Sequence, residues 1–162
     1  MKIISFAWTS VALLAGRKSR TRRKWDDKYA ARFKVGDMLQ AWDRSPRFGG
    51  KRIGTIEVVG IKKEDIYLMP PEDFEKEGFA YFEQNGLKIR GQDPRAAFFE
   101  WRDQGGLYYV LDFRLISITP GVQQWIVRSK KTGVVCHTST SAEGAARWSD
   151  RFLGEHGEVM KE

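Results

Sequence analysis

The chain has 162 residues, with 41% hydrophobic side chains, 30% charged side chains and a formal net charge of +7. This length suits one folded domain with a hydrophobic core and a small appendage. No apolar run approaches the roughly 18 residues of a membrane-spanning helix, so we expect no membrane partner. The single cysteine, Cys136, excludes an intrachain disulfide and favours a reducing compartment, and polar residues interrupt the apolar N-terminus where a signal peptide would be continuous. We therefore predict a cytoplasmic protein.

In chain order, the predicted elements indicate an α+β fold. Thr9 or Ser10 caps a short helix that Gly16 ends in a left-handed conformation, and Asp93 followed by Pro94 begins a later helix. The pattern predicts a strand at 2–6, the first helix to residue 15, an extended basic segment, a strand at 38–42, a loop at 44–52, a strand at 53–59, a helix from Pro70, a helix at 94–102 and a strand at 107–118. Strands with a few short flanking helices predict a small β-barrel.

Residues 119–162 are predicted to form an extension of a main domain at residues 1–118. The sequence Thr119-Pro120-Gly121 breaks the pattern. Strands at 124–128 and 134–138 and a helix at 140–153 then predict a ββα unit. The unit is too short to bury a good core alone, so we expect it to pack on the main domain, on a protein partner or on a second copy.

The positive charge is concentrated in two short segments. Residues 17–24 carry six lysines and arginines and residues 44–52 carry four, with no acidic residue in either segment. Clustered cations attract phosphate and raise the encounter rate with polyanions, whereas a merely solvated surface spreads its charge. The charge pattern therefore predicts a nucleic-acid or nucleotide site.

A motif in the first basic segment resembles a known family. The residues Gly16-x-Lys18-x-x-Thr21-x-Arg23 match the signature of the ASCH family (activating signal cointegrator homology), which is Gly-x-Lys-x-x-(Glu or Thr)-x-Arg. Segments at 3–6, 12–16, 33–37, 77–79 and 108–113 are similar to family segments in order and spacing. The resemblance covers residues 1–118 and implies a PUA-like β-barrel with a basic cleft for RNA, DNA or a nucleoside.

One branch of that family, the bacterial acetylcytidine amidohydrolases, uses a lysine, a threonine and a glutamate. By motif position these catalytic residues fall on Lys18, Thr21 and Glu77. A threonine hydroxyl becomes a nucleophile when a base takes its proton, and a lysine with a lowered pKa is such a base. We expect neighbouring arginines to lower the pKa of Lys18 and Glu77 to raise it. In the alternative, Lys18 and Glu77 form an ordinary ion pair and Thr21 only binds a phosphate or the backbone.

The leading hypothesis from the sequence is nevertheless a binding module for RNA or single-stranded nucleic acid, because the chain is longer and more basic around the motif than that branch. In an extended segment, Arg20 and Arg22 would share one face, and Thr21 and Arg23 the other. Phe48 is a candidate for stacking a base. The predicted nucleic-acid contacts are Arg17, Lys18, Arg20, Arg22, Arg23, Lys24, Arg44, Arg47, Phe48, Lys51 and Arg52.

Whether the chain is an enzyme stays open at this point. The amidohydrolase is the first alternative and a ribonuclease the second. Only His137 and His156 are present, and His137 follows Cys136 on a predicted strand, so those two side chains should face opposite sides. The acidic residues show no metal-binding spacing. We predict no metal site and no cofactor, and RNA, another nucleic acid or a modified nucleoside as the partner.

Overall fold

The computed structural model describes residues 1–122 with their side chains, and the backbone of three later strands. Those strands are β6 (Trp125–Ser129), β7 (Val135–Ser139) and β8 (Gly157–Lys161). The predicted helix at 140–153 lies outside the described residues. In the part of the chain that the structure describes, no helix combines the length and apolarity that crossing a membrane requires.

The fold is mixed α+β, as predicted, and its main sheet has five strands in the order β1-β3-β4-β5-β2. The strands are β1 (Ile3–Ser5), β2 (Arg20–Arg23), β3 (Met38–Trp42), β4 (Arg52–Asp65) and β5 (Leu107–Ile118). β1 pairs with β3 in parallel, and the other pairs are antiparallel. The predictions of β3 and β5 are confirmed to the residue, whereas β4 runs six residues further than predicted.

The sheet is open, with β1 and β2 as its edges, and the predicted barrel is not closed by a strand ladder between them in the described residues. Both edge strands are short. The link between them is a side chain, because Nη2 of Arg23 on β2 donates to the carbonyl oxygen of Ser5 on β1 at 2.5 Å. A side-chain hydrogen bond thus joins β1 and β2, where a closed barrel would have a ladder of backbone hydrogen bonds.

Among the described residues, five short α-helices accompany the sheet. They are α1 (Ser10–Leu14), α2 (Asp27–Ala30), α3 (Asp73–Lys76), α4 (Phe79–Gln84) and α5 (Pro94–Asp103). The Asp93 side chain caps α5 by accepting from the amides of Arg95 and Ala96, as predicted. The helix predicted from Pro70 is instead two helices, α3 and α4, because Gly78 between them adopts φ +95°.

Two hydrophobic clusters form the core. One lies on the sheet around Leu39, Ile56 and Leu111, and the other joins α3, α4 and α5 around Phe79 and Phe98. Helix α1 contributes to both clusters, since Val11 and Ala12 pack in the helical one and Leu13 packs in the sheet one. Helix α1 therefore joins the two clusters.

A second sheet of three antiparallel strands has the order β7-β6-β8. Strands β6 and β7 lie one residue further along than predicted. The third strand, β8, is absent from the sequence prediction because a five-residue segment with two apolar residues shows too little alternation to distinguish it from a loop. The division into residues 1–118 and an extension stays a prediction.

A buried ion-pair network anchors β2. The Asp73 carboxylate is fully buried and accepts from Nη1 of Arg20 at 2.9 and 3.1 Å and from Nη2 of Arg22 at 2.5 Å. Asp112 of β5 binds the rest of the Arg20 guanidinium, with contacts at 2.6 and 2.9 Å. These paired charges connect β2 to α3 and β5.

We predict that Asp73→Ala lowers the free energy of unfolding by about 3–5 kcal/mol, because it leaves two buried guanidinium groups short of a counter-charge. Urea denaturation followed by circular dichroism measures this. The matched control is Glu75→Ala, which removes the half-exposed partner of Arg17 and should change stability by less than about 1 kcal/mol. Equal effects of the two substitutions would contradict the anchoring role of Asp73.

Candidate active site

Lys18 and Glu77 meet in the structure although 59 residues separate them in the chain. Nζ of Lys18 donates to the backbone carbonyl oxygen of Glu77 at 2.8 Å and to its Oε2 at 3.1 Å. Each side chain is only 3% exposed. The sequence prediction that these two groups are neighbours is confirmed.

Backbone contacts position this pair. The amide of Ser19 donates to the carbonyl of Lys76 at 2.9 Å, which aligns the segment before β2 with the end of α3. Gly78 follows Glu77 directly, and a Cβ there would lie 2.9 Å from the Cβ of Ala12 and 3.6 Å from that of Lys18. Only glycine combines this close approach with a positive φ, so Gly78 lets α1, Lys18 and Glu77 pack together.

Thr21 and Arg23 lie on the opposite face of β2 from the buried network, as the alternation of a strand predicts. Nε of Arg23 donates to Oγ1 of Thr21 at 3.3 Å, and its Nη2 binds Ser5. Thr21 is 4% exposed. No hydrogen bond between Thr21 and Lys18 is present among the described residues, so the hydroxyl does not donate to the lysine in this structure.

A cavity of about 460 Å³ brings these groups together. Its lining includes Lys18, Thr21 and Glu77, together with aromatic side chains from four different segments: Phe6, Trp8, Phe79, Trp101 and Tyr108. The volume is within the range of small-molecule sites, which combine apolar walls with a few converging polar groups. All three residues of the predicted catalytic set thus line one concave site.

Burial is the main cause that lowers the pKa of Lys18 from its ordinary value of 10.5. The charge of Glu77 and its hydrogen bond raise the pKa, and the charges of Arg23 and Arg22 lower it further. The opposing effects on the pKa that the sequence predicted, from the arginines and from Glu77, are both present, but neither is the leading cause. Loss of solvent outweighs the neighbouring arginines, and the sequence does not show how deeply a lysine is buried.

Arg22 holds the Glu77 carboxylate in place, a role that the sequence analysis missed. Its Nη1 donates to Oε1 of Glu77 at 2.8 Å, while its Nη2 binds Asp73 and also Glu64 at 3.1 Å. Burial opposes the charge of Arg22, but Glu77 and Asp73 raise its pKa, so it stays cationic. With Lys18 on Oε2 and Arg22 on Oε1, both oxygens of Glu77 are bound.

The predicted role of the first basic segment in phosphate binding needs correction. Arg20 and Arg22 are turned inward and their guanidinium groups bind carboxylates, so they are not available to phosphate. Arg17 is bound bidentately by Glu75 and also by Gln84. The acidic partners come from distant segments, and for that reason the local charge count overstated the free positive charge. Lys24 is exposed and lies over the Tyr108 ring.

The second basic segment is at the surface. Phe48 is 72% exposed, and Arg44, Arg47 and Lys51 around it are exposed as well. Arg52 is also exposed and donates to Oγ1 of Thr55 at 2.7 Å. None of these residues lines the cavity. The two basic segments therefore do not form one continuous site.

No group of three or more His, Cys, Asp or Glu residues that could hold a metal ion occurs in the part of the chain that the structure describes. The backbone of Cys136 and His137 belongs to β7, and His156 lies outside the described residues. The carboxylates that line the cavity are already bound, Glu77 to Lys18 and Arg22 and Glu100 to Gln92.

The comparisons with known proteins give little beyond this geometry. No protein-family model and no curated protein matches the chain. Among solved structures, the chain is similar to protein EF3133 from Enterococcus faecalis V583, of the DUF984 family, with 13% identity over 70% of this chain and 73% of that chain, and a TM-score of 0.46.

We predict that the carbon bonded to Nζ of Lys18 titrates in an NMR experiment with a midpoint below 10.5. Glu77→Gln should lower the midpoint further, because it removes the negative charge that raises this pKa. The exposed control Glu83→Gln should leave it unchanged. Between the folded and unfolded pKa values the unfolded chain binds more protons, so stability rises with pH across that interval. A midpoint at or above 10.5 would contradict the prediction.

Proposed function

We propose that this chain is an ASCH-like amidohydrolase that removes an acyl group from the exocyclic amine of a nucleobase of the acetylcytidine type. One observation carries the proposal. The three residues that match the catalytic positions of the amidohydrolase branch, Lys18, Thr21 and Glu77, line a single cavity of ligand size. We also propose that the fold is the PUA-like barrel of that family. The contact from Arg23 on β2 to Ser5 on β1 supports a barrel because it brings the two edges of the open sheet together.

Lys18 is suited to act as the general base. A neutral lysine amine has two hydrogens and one lone pair. Its two hydrogens match the two acceptors that Nζ has in the structure, the carbonyl oxygen and Oε2 of Glu77. The lone pair is then free to accept the proton of Thr21, and the lowered pKa favours the neutral form that this step requires.

Thr21 is suited to act as the nucleophile. Its Oγ1 attacks the carbonyl carbon of the acyl amide while Lys18 takes the hydroxyl proton. The Nε–H of Arg23 donates to the same oxygen and orients it for the attack. When the C–N bond breaks, Lys18 returns the proton to the leaving amine. Water then attacks the acyl-threonine ester as Lys18 takes a proton from it, and Lys18 returns that proton to Oγ1 of Thr21 as the carboxylic acid leaves.

The aromatic walls are suited to a flat ring. Trp8 is 42% exposed and makes edge contacts with Phe79 and Phe82, and Trp101 stacks on Phe79 at a centroid distance of 5.9 Å. Stacking on an aromatic side chain contributes about 1–3 kcal/mol per base and accepts any base. The walls thus supply affinity for a nucleobase, and the Lys18–Glu77 pair supplies the reaction.

We expect the purified protein to convert acetylcytidine to cytidine and acetate, measured by chromatography. Thr21→Ala should lower the rate at least about 10³-fold because it removes the nucleophile. Lys18→Met should lower it about 10²- to 10⁴-fold because it removes the base. Thr55→Ala is the matched control, since Thr55 is also a buried threonine on a strand but does not line the cavity.

No turnover by the folded wild-type protein would reject this activity. Turnover that survives Thr21→Ala would reject the assignment of the nucleophile. Ribonuclease activity stays a prediction that no observation at this site favours, because the reactive groups present are a threonine hydroxyl and a lysine amine.

Binding of single-stranded nucleic acid at residues 44–52 is a second candidate function. The observation that favours it is Phe48, a large aromatic ring that is 72% exposed among exposed cations. An exposed ring gains free energy when a ligand covers it. A ring exposed beside Arg44, Arg47 and Lys51 is therefore typical of a surface that stacks bases and binds phosphates.

We predict that replacing both Arg44 and Arg47 by alanine weakens binding of a single-stranded oligonucleotide and reduces the slope of log affinity against log salt by about 1.4, the value for two lost phosphate contacts. Phe48→Ala should weaken binding by about 1–3 kcal/mol with little change in that slope. Fluorescence anisotropy over a salt series measures both effects.

The control replaces the exposed Lys28 and Lys34, which removes the same charge from another surface. Equal losses in the two double variants would show only a general charge effect and would reject a site at residues 44–52.

A further inference from the structure

Arg90 is in a backbone conformation that arginine disfavours. Arg90 and Gly91, with φ of +51° and +79°, are the two central residues of a tight turn. Ile89 and Gln92 close the turn by exchanging two backbone hydrogen bonds of 2.9 Å. Turns with two left-handed central residues favour asparagine or glycine at the first position, because a longer side chain is strained there.

The side chain of Arg90 is free and lies at the cavity. Four cations line the cavity, and three of them, Lys18, Arg22 and Arg23, are bonded to other groups of the protein. The Arg90 guanidinium has no hydrogen bond and no ion pair within the described part of the chain. It is exposed, whereas Lys18 and Thr21 are buried, so Arg90 lies at the rim and the reactive groups lie deeper.

Among the described residues, the carboxylate at this rim does not neutralise Arg90. Glu100 of α5 lines the same cavity, but its Oε2 accepts from Nε2 of Gln92 at 2.7 Å and makes no ion pair with Arg90. This hydrogen bond ties the turn to α5. It thereby holds the backbone that carries Arg90 at the rim.

We propose that Arg90 binds a phosphate group of the substrate, so that the substrate class is a nucleotide unit and not a free nucleoside. The inference rests on the proposed function, in which the base enters the cavity towards Lys18 and Thr21. The sugar of such a base then points to the rim, and its phosphate meets Arg90, the exposed lining cation that makes no hydrogen bond or ion pair in the described part of the chain. A guanidinium offers a planar fork of donors that matches phosphate oxygens. This role explains an arginine at a turn position that disfavours it.

The test measures steady-state hydrolysis of three substrates: acetylcytidine, its 5′-monophosphate and a short single-stranded oligonucleotide that contains acetylcytidine. Arg90→Gln should raise KM about tenfold for substrates with a phosphate, leave KM for the nucleoside unchanged and leave kcat unchanged for all three. The control Lys88→Gln removes an exposed cation two residues away that does not line the cavity, and it should change none of these values. A higher KM for the monophosphate would assign the Arg90 contact to the nucleotide's own phosphate. A higher KM for the oligonucleotide alone would assign this contact to a neighbouring phosphate of a polymer.

Arg90→Asn separates binding from folding. Asparagine suits the first position of this turn, so this variant should unfold at a urea concentration no lower than that of the wild type and still show the same loss for phosphate-bearing substrates. Unchanged KM values for the monophosphate and the oligonucleotide in both variants would overturn the proposal.

A binding arm keeps this test independent of turnover. In Thr21→Ala protein, calorimetry compares cytidine with cytidine 5′-monophosphate, and the monophosphate should bind about tenfold more tightly through Arg90. If the wild-type protein shows no hydrolysis but this preference is present and Arg90→Gln removes it, the proposed reaction is rejected and the phosphate contact is retained. Equal affinity for the two ligands, or no binding of either, would overturn the phosphate contact.

Discussion

The rest of this structure depends on the ion pairs of one carboxylate, that of Asp73. This carboxylate is fully buried and bridges two arginines of one four-residue strand, Arg20 and Arg22. Burying these charges has a large desolvation cost, which the bidentate geometry and the further bonds to Asp112 and Glu77 offset. A strand as short as β2 has few ladder hydrogen bonds of its own. The buried charges therefore hold it between β5 and α3.

The alternation of side chains along β2 gives the strand two different tasks. Arg20 and Arg22 face the buried carboxylates and hold the strand in place. Thr21 lies on the other face, at the cavity, and Arg23 beside it reaches both the threonine and β1. Because the residues alternate, the position of Thr21 is determined by the anchors on either side of it. The chemistry we propose thus needs the structural face of the strand as much as the reactive one.

The distribution of unpaired positive charge in the structure differs from the distribution of lysines and arginines along the sequence. In residues 17–24, Arg17, Arg20 and Arg22 are compensated by acids from later segments, so that segment forms a wall of the cavity and not a phosphate-binding strip. Exposed cations are found at other places, among them Arg90 on the rim and residues 44–52. In the functions we propose, phosphate groups meet the protein at these two places, while the interior of the cavity offers aromatic rings and the Lys18–Glu77 pair.

The sequence by itself determined the α+β class, strands β3 and β5 to the residue, the Asp93 cap of α5 and the three candidate catalytic residues. These features depend on local periodicity, capping chemistry and a short motif, all of which are readable within a few neighbouring residues. Only the tertiary structure decided that the sheet stays open, that Arg20 and Arg22 are buried, that burial dominates the pKa of Lys18 and that Arg90 reaches the cavity. Each of these depends on which distant groups meet in space, and solvent exclusion and charge pairing between distant segments leave no periodic pattern in the chain.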